Sequence, residues 1–181
     1  SITKRPIIVE ASASSKVYDG NTTSAGIPAI TAGTLATGDT ADFIQVYSNK
    51  TVSTGKRLTP SGTAGGNSGN NYEYTFTYKM NGIITLKTLT VSGLFAASRP
   101  YDGTTDAEII GIPALEGKVS GDTVSLVGTA SGFFDNANTG SRTVAISGLT
   151  LAGADSGNYT LTQPTLNSSI AAKEITITPT A

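Results

Sequence analysis

With no Cys, His or Trp in 181 residues, the side chains left for acid–base work are carboxylates, lysines and tyrosines. Without a thiolate or an imidazole there is no Cys or His nucleophile, no Ser–His–Asp triad and no ordinary zinc site. Two carboxylates flanking one bond would still suffice for glycoside hydrolysis. That chemistry also asks for a deep cleft and, for sugars, aromatic platforms. Seven Tyr and five Phe make such a cleft hard to build, so no enzymatic activity is expected.

Calcium is the other use for carboxylates, and it takes about six to eight oxygens. Asp19, Asp39 and Asp42 in the first half, and Asp102, Asp106, Glu108 and Asp122 in the second, are the candidates. The second set, centred on Asp102, Asp106 and Asp122, is favoured because residues 85–181 hold eight acidic and five basic side chains. No EF-hand loop or nonapeptide array accompanies them. The expectation is a chain without cofactor, calcium being the one ion considered. Lys4 and Lys87 begin equivalent segments, and an intramolecular isopeptide bond to an Asn or Asp would need all partners buried together. A solvated lysine at a strand start is the simpler reading. Sequons at Asn21, Asn49, Asn158 and Asn167 are no more than expected where 48 of 181 residues are Ser or Thr.

Self-similarity organises these residues. Lys4, Tyr18, Asp19 and Gly20 return 83 positions later as Lys87, Tyr101, Asp102 and Gly103. Ile27-Pro28-Ala29 returns as Ile112-Pro113-Ala114, and Gly38-Asp39-Thr40 as Gly121-Asp122-Thr123. Ser68-Gly69-Asn70-Asn71-Tyr72 answers Ser156-Gly157-Asn158-Tyr159, and Ala172–Ile177 begins the pattern once more. Alternating segments predict strands at Ala41–Tyr47, Thr123–Val127, Thr143–Ile146, Leu149–Leu151, Tyr159–Thr162 and Glu174–Thr178. Tyr72, Tyr74, Phe76 and Tyr78 share one face of another. Thr pairs such as Thr75/Thr77 and Thr160/Thr162 are ordinary exposed strand faces. Gly-Asp, Asp-Gly and Ser-Gly-Asn mark turns, and a helical turn is expected at most between Ile109 and Ser120.

The prediction is an all-β chain of two tandem small antiparallel domains, β-sandwich or β-grasp-like, arranged end to end. The first spans 1–84 and the second 85–172, with 173–181 starting a following repeat or a terminal strand. The join at 82–91 is apolar and β-branched, leaving little room for a hinge. Tyr18-Asp19-Gly20 and Tyr101-Asp102-Gly103 are read as structural turns: Asp bonds its own backbone, Gly takes positive φ and Tyr packs on the sheet. Recurrence in both halves favours this over ligand binding, because a fold needs its corner in every copy.

These blocks resemble the YDG-type repeat of large bacterial exoproteins, including filamentous-haemagglutinin-like adhesins. The likeness rests on Lys87-x-x-x-Val91, Tyr101-Asp102-Gly103-Thr104-Thr105, Gly121-Asp122-Thr123-Val124, Gly132-Phe133-Phe134, Asn138-Thr139-Gly140 and Asn158-Tyr159. The first half departs from it after Gly55. The resemblance implies a secreted or cell-surface stalk module that extends a binding tip, with neighbouring repeats as its partners. Composition agrees: 29 Thr, 19 Ser and 21 Gly without a cysteine suit an exported bacterial chain. The alternative is a direct adhesion module for a host or matrix glycan or protein, using loops at 62–71 or 133–139. A net charge of −1 with no basic block gives no reason to bind nucleic acid, and no apolar run is long enough to insert in a membrane.

Overall fold

Alternation of side chains builds the long strands. In Ala41–Tyr47 the buried residues are Phe43, Gln45 and Tyr47, with Ile44 and Val46 facing out between them, the period-2 pattern of a strand that covers a core with one face. The computed structural model describes residues 3–177, and the chain divides into two compact units between Lys87 and Thr88.

In the first unit the strands are β1 (Arg5–Glu10), β2 (Ser14–Val17), β3 (Ala29–Ala32), β4 (Ala41–Tyr47), β5 (Ser53–Ala64), β6 (Tyr72–Thr77) and β7 (Lys79–Thr85). They form two sheets, ordered β3-β1-β6 and β2-β7-β5-β4. Ile7, Val9 and Tyr72 from one sheet pack with Phe43 and Ala64 from the other, so the core lies between two layers. The edge of the Phe43 ring meets Tyr74 and Phe76, each at 6.2 Å between centroids.

The second unit contains β8 (Lys87–Ala96), β9 (Arg99–Pro100), β10 (Asp106–Ala107), β11 (Ile109–Glu116), β12 (Ser125–Val127), β13 (Ser131–Phe134), β14 (Gly140–Ser147), β15 (Thr150–Ala152), β16 (Tyr159–Thr162) and β17 (Thr165–Ala171). Its sheets are β11-β8-β16 and β10-β13-β14-β17-β9, with β12 and β15 paired separately. Strand for strand, β11-β8-β16 repeats β3-β1-β6, and β9-β17-β14-β13 repeats β2-β7-β5-β4. Val91 and Leu94 from the smaller sheet pack with Phe134, Val144, Ile146 and Ile170 from the larger. The duplication seen in the sequence is a duplication of topology.

The all-β tandem fold stands, with three refinements. Pairing is mixed: β1 with β6, β2 with β7 and β9 with β17 run parallel. The cause is the path of the chain, because β1 continues into β2 across to the second sheet and both lie beside the closing strands of their unit. Among the described residues the only helical pieces are 3-10 turns at Asn67–Gly69 and Ser156–Asn158, so the sandwich alternative holds and there is no helix for a sheet to grasp.

The segment expected to hold a helical turn is strand β11 instead. Pro113 is accommodated by an irregularity of register between Gly111 and Ala114, where a missing N–H breaks no ladder bond. Of the strand expected at Glu174–Thr178, residues 174–177 are exposed and carry no strand, and Thr178 lies outside the described residues. A strand needs a neighbour to bond, and residues 172–177 form no ladder with any described strand.

Candidate functional site

The Asp-Gly corners follow directly after β2 and β9. At the first, Asp19 Oδ1 accepts from the Asn21 N–H at 3.1 Å and from Lys16 Nζ at 2.7 Å. Asn21 Oδ1 in turn accepts from the Thr23 N–H, the Thr23 hydroxyl and the same Lys16. At the second, Asp102 Oδ1 accepts from the Thr104 N–H and hydroxyl, each at 2.9 Å, and pairs with the Arg99 guanidinium. Arg99 also donates to the Thr104 carbonyl at 2.7 Å. Gly20 and Gly103 hold φ of 82° and 87°, a region in which a Cβ is strained.

Asn49 makes a third loop of this kind outside the signature. Its Oδ1 accepts from the Thr51 N–H and hydroxyl and from Lys56 Nζ. Lys56 also donates to the Thr51 carbonyl at 2.7 Å, and its burial pushes the ammonium pKa below the ordinary lysine value. The shared unit is therefore an Asx oxygen, the threonine two residues on, and a cation. The sequons at Asn21 and Asn49 are thereby accounted for as turns.

The cations were missed by sequence reasoning, although a signal was there: Lys16 and Arg99 each stand three residues before the Asp. Each also lies over a ring from another strand of its own sheet, Lys16 above Tyr47 of β4 at 5.4 Å and Arg99 above Phe134 of β13 at 5.3 Å. That placement adds a cation–π attraction. The tyrosines of the motif differ. Tyr18 is buried, but Tyr101 is 41 % exposed, a correction to the expectation that both pack on the sheet. The Tyr18 ring also has Lys50 Nζ over it at 6.0 Å from its centroid.

Hydrogen bonding to the Thr104 N–H, followed by the Arg99 pairing, lowers the Asp102 carboxyl to about 2. Asp19 is lowered too: burial pulls it up, and the bonds from Lys16 and Asn21 outweigh that. A carboxyl with a depressed folded pKa stabilises above its unfolded value, near 3.9, and that contribution is lost as pH falls towards the folded value. Arg99→Ala is expected to move the Asp102 titration, followed by carboxyl-carbon NMR, upward from about 2 towards 3.8. An unmoved midpoint would mean that Arg99 does not hold the carboxylate.

Gly-Asp-Thr and Asn-Tyr, far apart in sequence, meet in both units. Tyr72 Oη donates to Asp39 Oδ2 at 2.6 Å and accepts from the Ala36 N–H at 2.8 Å. In the second unit, Tyr159 Oη donates to Asp122 Oδ2 at 2.5 Å and accepts from the Val119 N–H at 3.1 Å. Ala36–Asp39 and Val119–Asp122 are turns closed by an N–H of the Asp, so the tyrosine pins a turn to the strand β6 or β16. We call this bond set the tyrosine clasp.

The carboxylates named for calcium are thus in separate settings. Asp102 is held by Arg99 and Thr104, Asp122 is buried against Tyr159, and Asp106 sits on β10 with its carbonyl accepting from Arg99 Nε. Asp42 and Glu108 are exposed. No group of three or more metal-ligating side chains gathers among the described residues. Lys4 is exposed and Lys87 half-buried, neither in the apolar interior that isopeptide formation requires. A cavity of about 240 Å³ bounded by Leu94, Ile109, Pro113, Thr129, Ala130 and Leu149 has no titratable side chain on its walls. Small-molecule sites usually start near 300 Å³. Of the doublet at 133–134, Phe134 is buried and Phe133 is 47 % exposed. The loop at 62–71 is tied down by Tyr74 Oη, which bonds Ala64 and Gly69.

The family model for the YDG domain matches the chain twice, over residues 3–80 and 85–166. No curated protein and no solved structure matches it.

Proposed function

The chain belongs to the YDG domain family, with two domains in tandem, and from that premise we propose that it is a structural spacer. In this reading it is part of a secreted or cell-surface bacterial adhesin or biofilm protein, and its repeats extend a binding tip from the cell. The observation that carries the reading is that the signature residues make the same structural bonds in both units. Asp39 and Asp122 hold clasp tyrosines, and Asp19 and Asp102 hold corner loops. Residues committed in this way shape the fold of every copy, which is what a repeated structural module requires.

Small-angle scattering of the full chain tests the spacer. A single globule of this length has a radius of gyration of about 16 Å. The extended pair is expected to exceed about 20 Å, and a value at the compact limit overturns the reading. A second reading, direct adhesion to a carbohydrate or host protein, is favoured by one observation, the exposed Phe133 ring beside the loop at 135–139. A glycan array with and without calcium, repeated with Phe133→Ser, separates it from the spacer.

A further inference from the structure

The three parallel pairings have a mechanical meaning. The chain enters the first unit through β1 and leaves through β7. β1 lies parallel to β6 in register from Arg5↔Tyr72 to Glu10↔Thr77, and β2 lies parallel to β7 from Ser14↔Gly82 to Val17↔Thr85. The ladder is extended by Arg5 N–H to the Asn71 carbonyl at 2.9 Å, Ala11 N–H to Thr77 at 3.0 Å and Tyr18 N–H to Thr85 at 2.9 Å. Glu10 and Lys79 add an ion pair at 3.0 Å where the two parallel runs adjoin. In the second unit β9 is parallel to β17 at Arg99↔Ile170 and Pro100↔Ala171, with Tyr101 N–H bonded to the Ala171 carbonyl.

We propose that these parallel pairs form a tension clamp, so that each unit resists unfolding when its chain is pulled from both ends. Tension draws β2 towards the N-terminus and β7 towards the C-terminus. Parallel neighbours pulled in opposite directions must slide past each other, and interstrand bonds lying across the pull share the load together. The same strands pulled apart from one common end would release their bonds one at a time. Forced unfolding is governed by the unfolding rate, so the direction of pull sets the resistance without any change in equilibrium stability. The corner loops fit this role: Lys16 and Arg99 belong to the clamp strands β2 and β9 and are tied to Asp19 and Asp102 just beyond them. Leu86 alone separates β7 from β8, so tension leaving the first unit passes straight into the second.

The absence of native cysteine allows handles to be placed by substitution in the full chain. Thr3→Cys with Leu86→Cys, both exposed positions, loads β2 against β7 in sliding geometry. Thr3→Cys with Gly66→Cys pulls β1 and β6 from the end they share, and an added Cβ at Gly66 meets no neighbour. At equal loading rate the first pair is expected to rupture at several-fold higher force than the second. Equal or lower force in the sliding geometry overturns the clamp. Denaturation midpoints matching the parent chain validate the three substitutions. A shifted midpoint moves the handle to Lys87 or Asn70, with the same expectation. The use of a clamp rests on the spacer reading, but the two fail separately: low rupture force with an extended solution shape removes only the clamp, and a compact shape with high rupture force removes only the spacer.

Discussion

Gly26→Ala is expected to destabilise the first unit by about 2–4 kcal/mol in urea unfolding followed by tyrosine fluorescence, through overpacking and loss of buried hydrogen bonds. A Cβ at Gly26 would lie 2.3 Å from Nε2 of Gln45 and 3.3 Å from the Ala13 carbonyl oxygen. Gln45 cannot swing aside freely. It is 1 % exposed, its Oε1 accepts from the Ser12 N–H at 2.8 Å, and its Nε2 donates to the Ser12 carbonyl at 2.8 Å and the Ser24 hydroxyl at 3.1 Å. Displacing the amide leaves buried polar groups without partners, the more expensive outcome of breaking a hydrogen bond. The double variant Gly26→Ala/Gln45→Ala is expected to be no less stable than Gln45→Ala alone, because the vacated space admits the methyl group. Additive losses in that cycle would show that the collision is not the cause.

The second unit fills the same place differently. Gly132 stands on β13 where the first unit has Gln45 on β4, and a Cβ there would lie 2.4 Å from Ile109 Cδ1. Ile109 comes from a stretch two residues longer than its counterpart, since Gly103 to Gly111 spans eight positions and Gly20 to Gly26 spans six. A polar stitch in one copy is an apolar plug in the other.

Tyr159→Phe is expected to destabilise the second unit by about 2–3 kcal/mol, in the range for a hydrogen bond to a charged group. The variant removes the donor to Asp122 and the acceptor for the Val119 N–H, while the ring remains packed. Asp122→Ala is expected to cost at least as much, and the double variant to cost less than the sum of the two. Tyr72→Phe is the parallel case in the first unit, acting through Asp39 and Ala36. The calcium alternative makes the opposite forecast. A metal-binding Asp122 would give a midpoint that rises with added calcium in the parent chain and loses that rise in Asp122→Ala. Under the clasp, calcium moves neither midpoint, and a loss below about 0.5 kcal/mol for Tyr159→Phe would sink the clasp itself, since that is the ordinary scatter of surface substitutions.

Periodicity and repetition made the β architecture legible, because strand alternation and turn residues are local properties. Ala41–Tyr47 and Tyr159–Thr162 were readable to the residue for that reason. Sequence showed that Gly-Asp-Thr and Asn-Tyr recur, but not that they bond each other. The partners are 33 residues apart in one unit and 37 in the other, a distance at which a single sequence carries no local trace of pairing. The parallel pairs were hidden for the same reason. β11 was misread because Gly111 and Pro113 look like breakers unless the strand has an irregular edge to absorb them. The corner loops were half-legible: the Asp and Gly were recognised, and the cations that complete them were overlooked although they too recur.

The single unpaired residue between β7 and β8 has a bearing on resistance to proteolysis. Enzymes that cut polypeptides grip several consecutive residues in extended, unbonded form, and such stretches concentrate at tips and termini. Leu86 offers one such residue between two hydrogen-bonded strands, whereas 172–177 is an exposed run without pairing. Cleavage at the join is therefore disfavoured, and the two repeats are expected to stay covalently linked for as long as each remains folded.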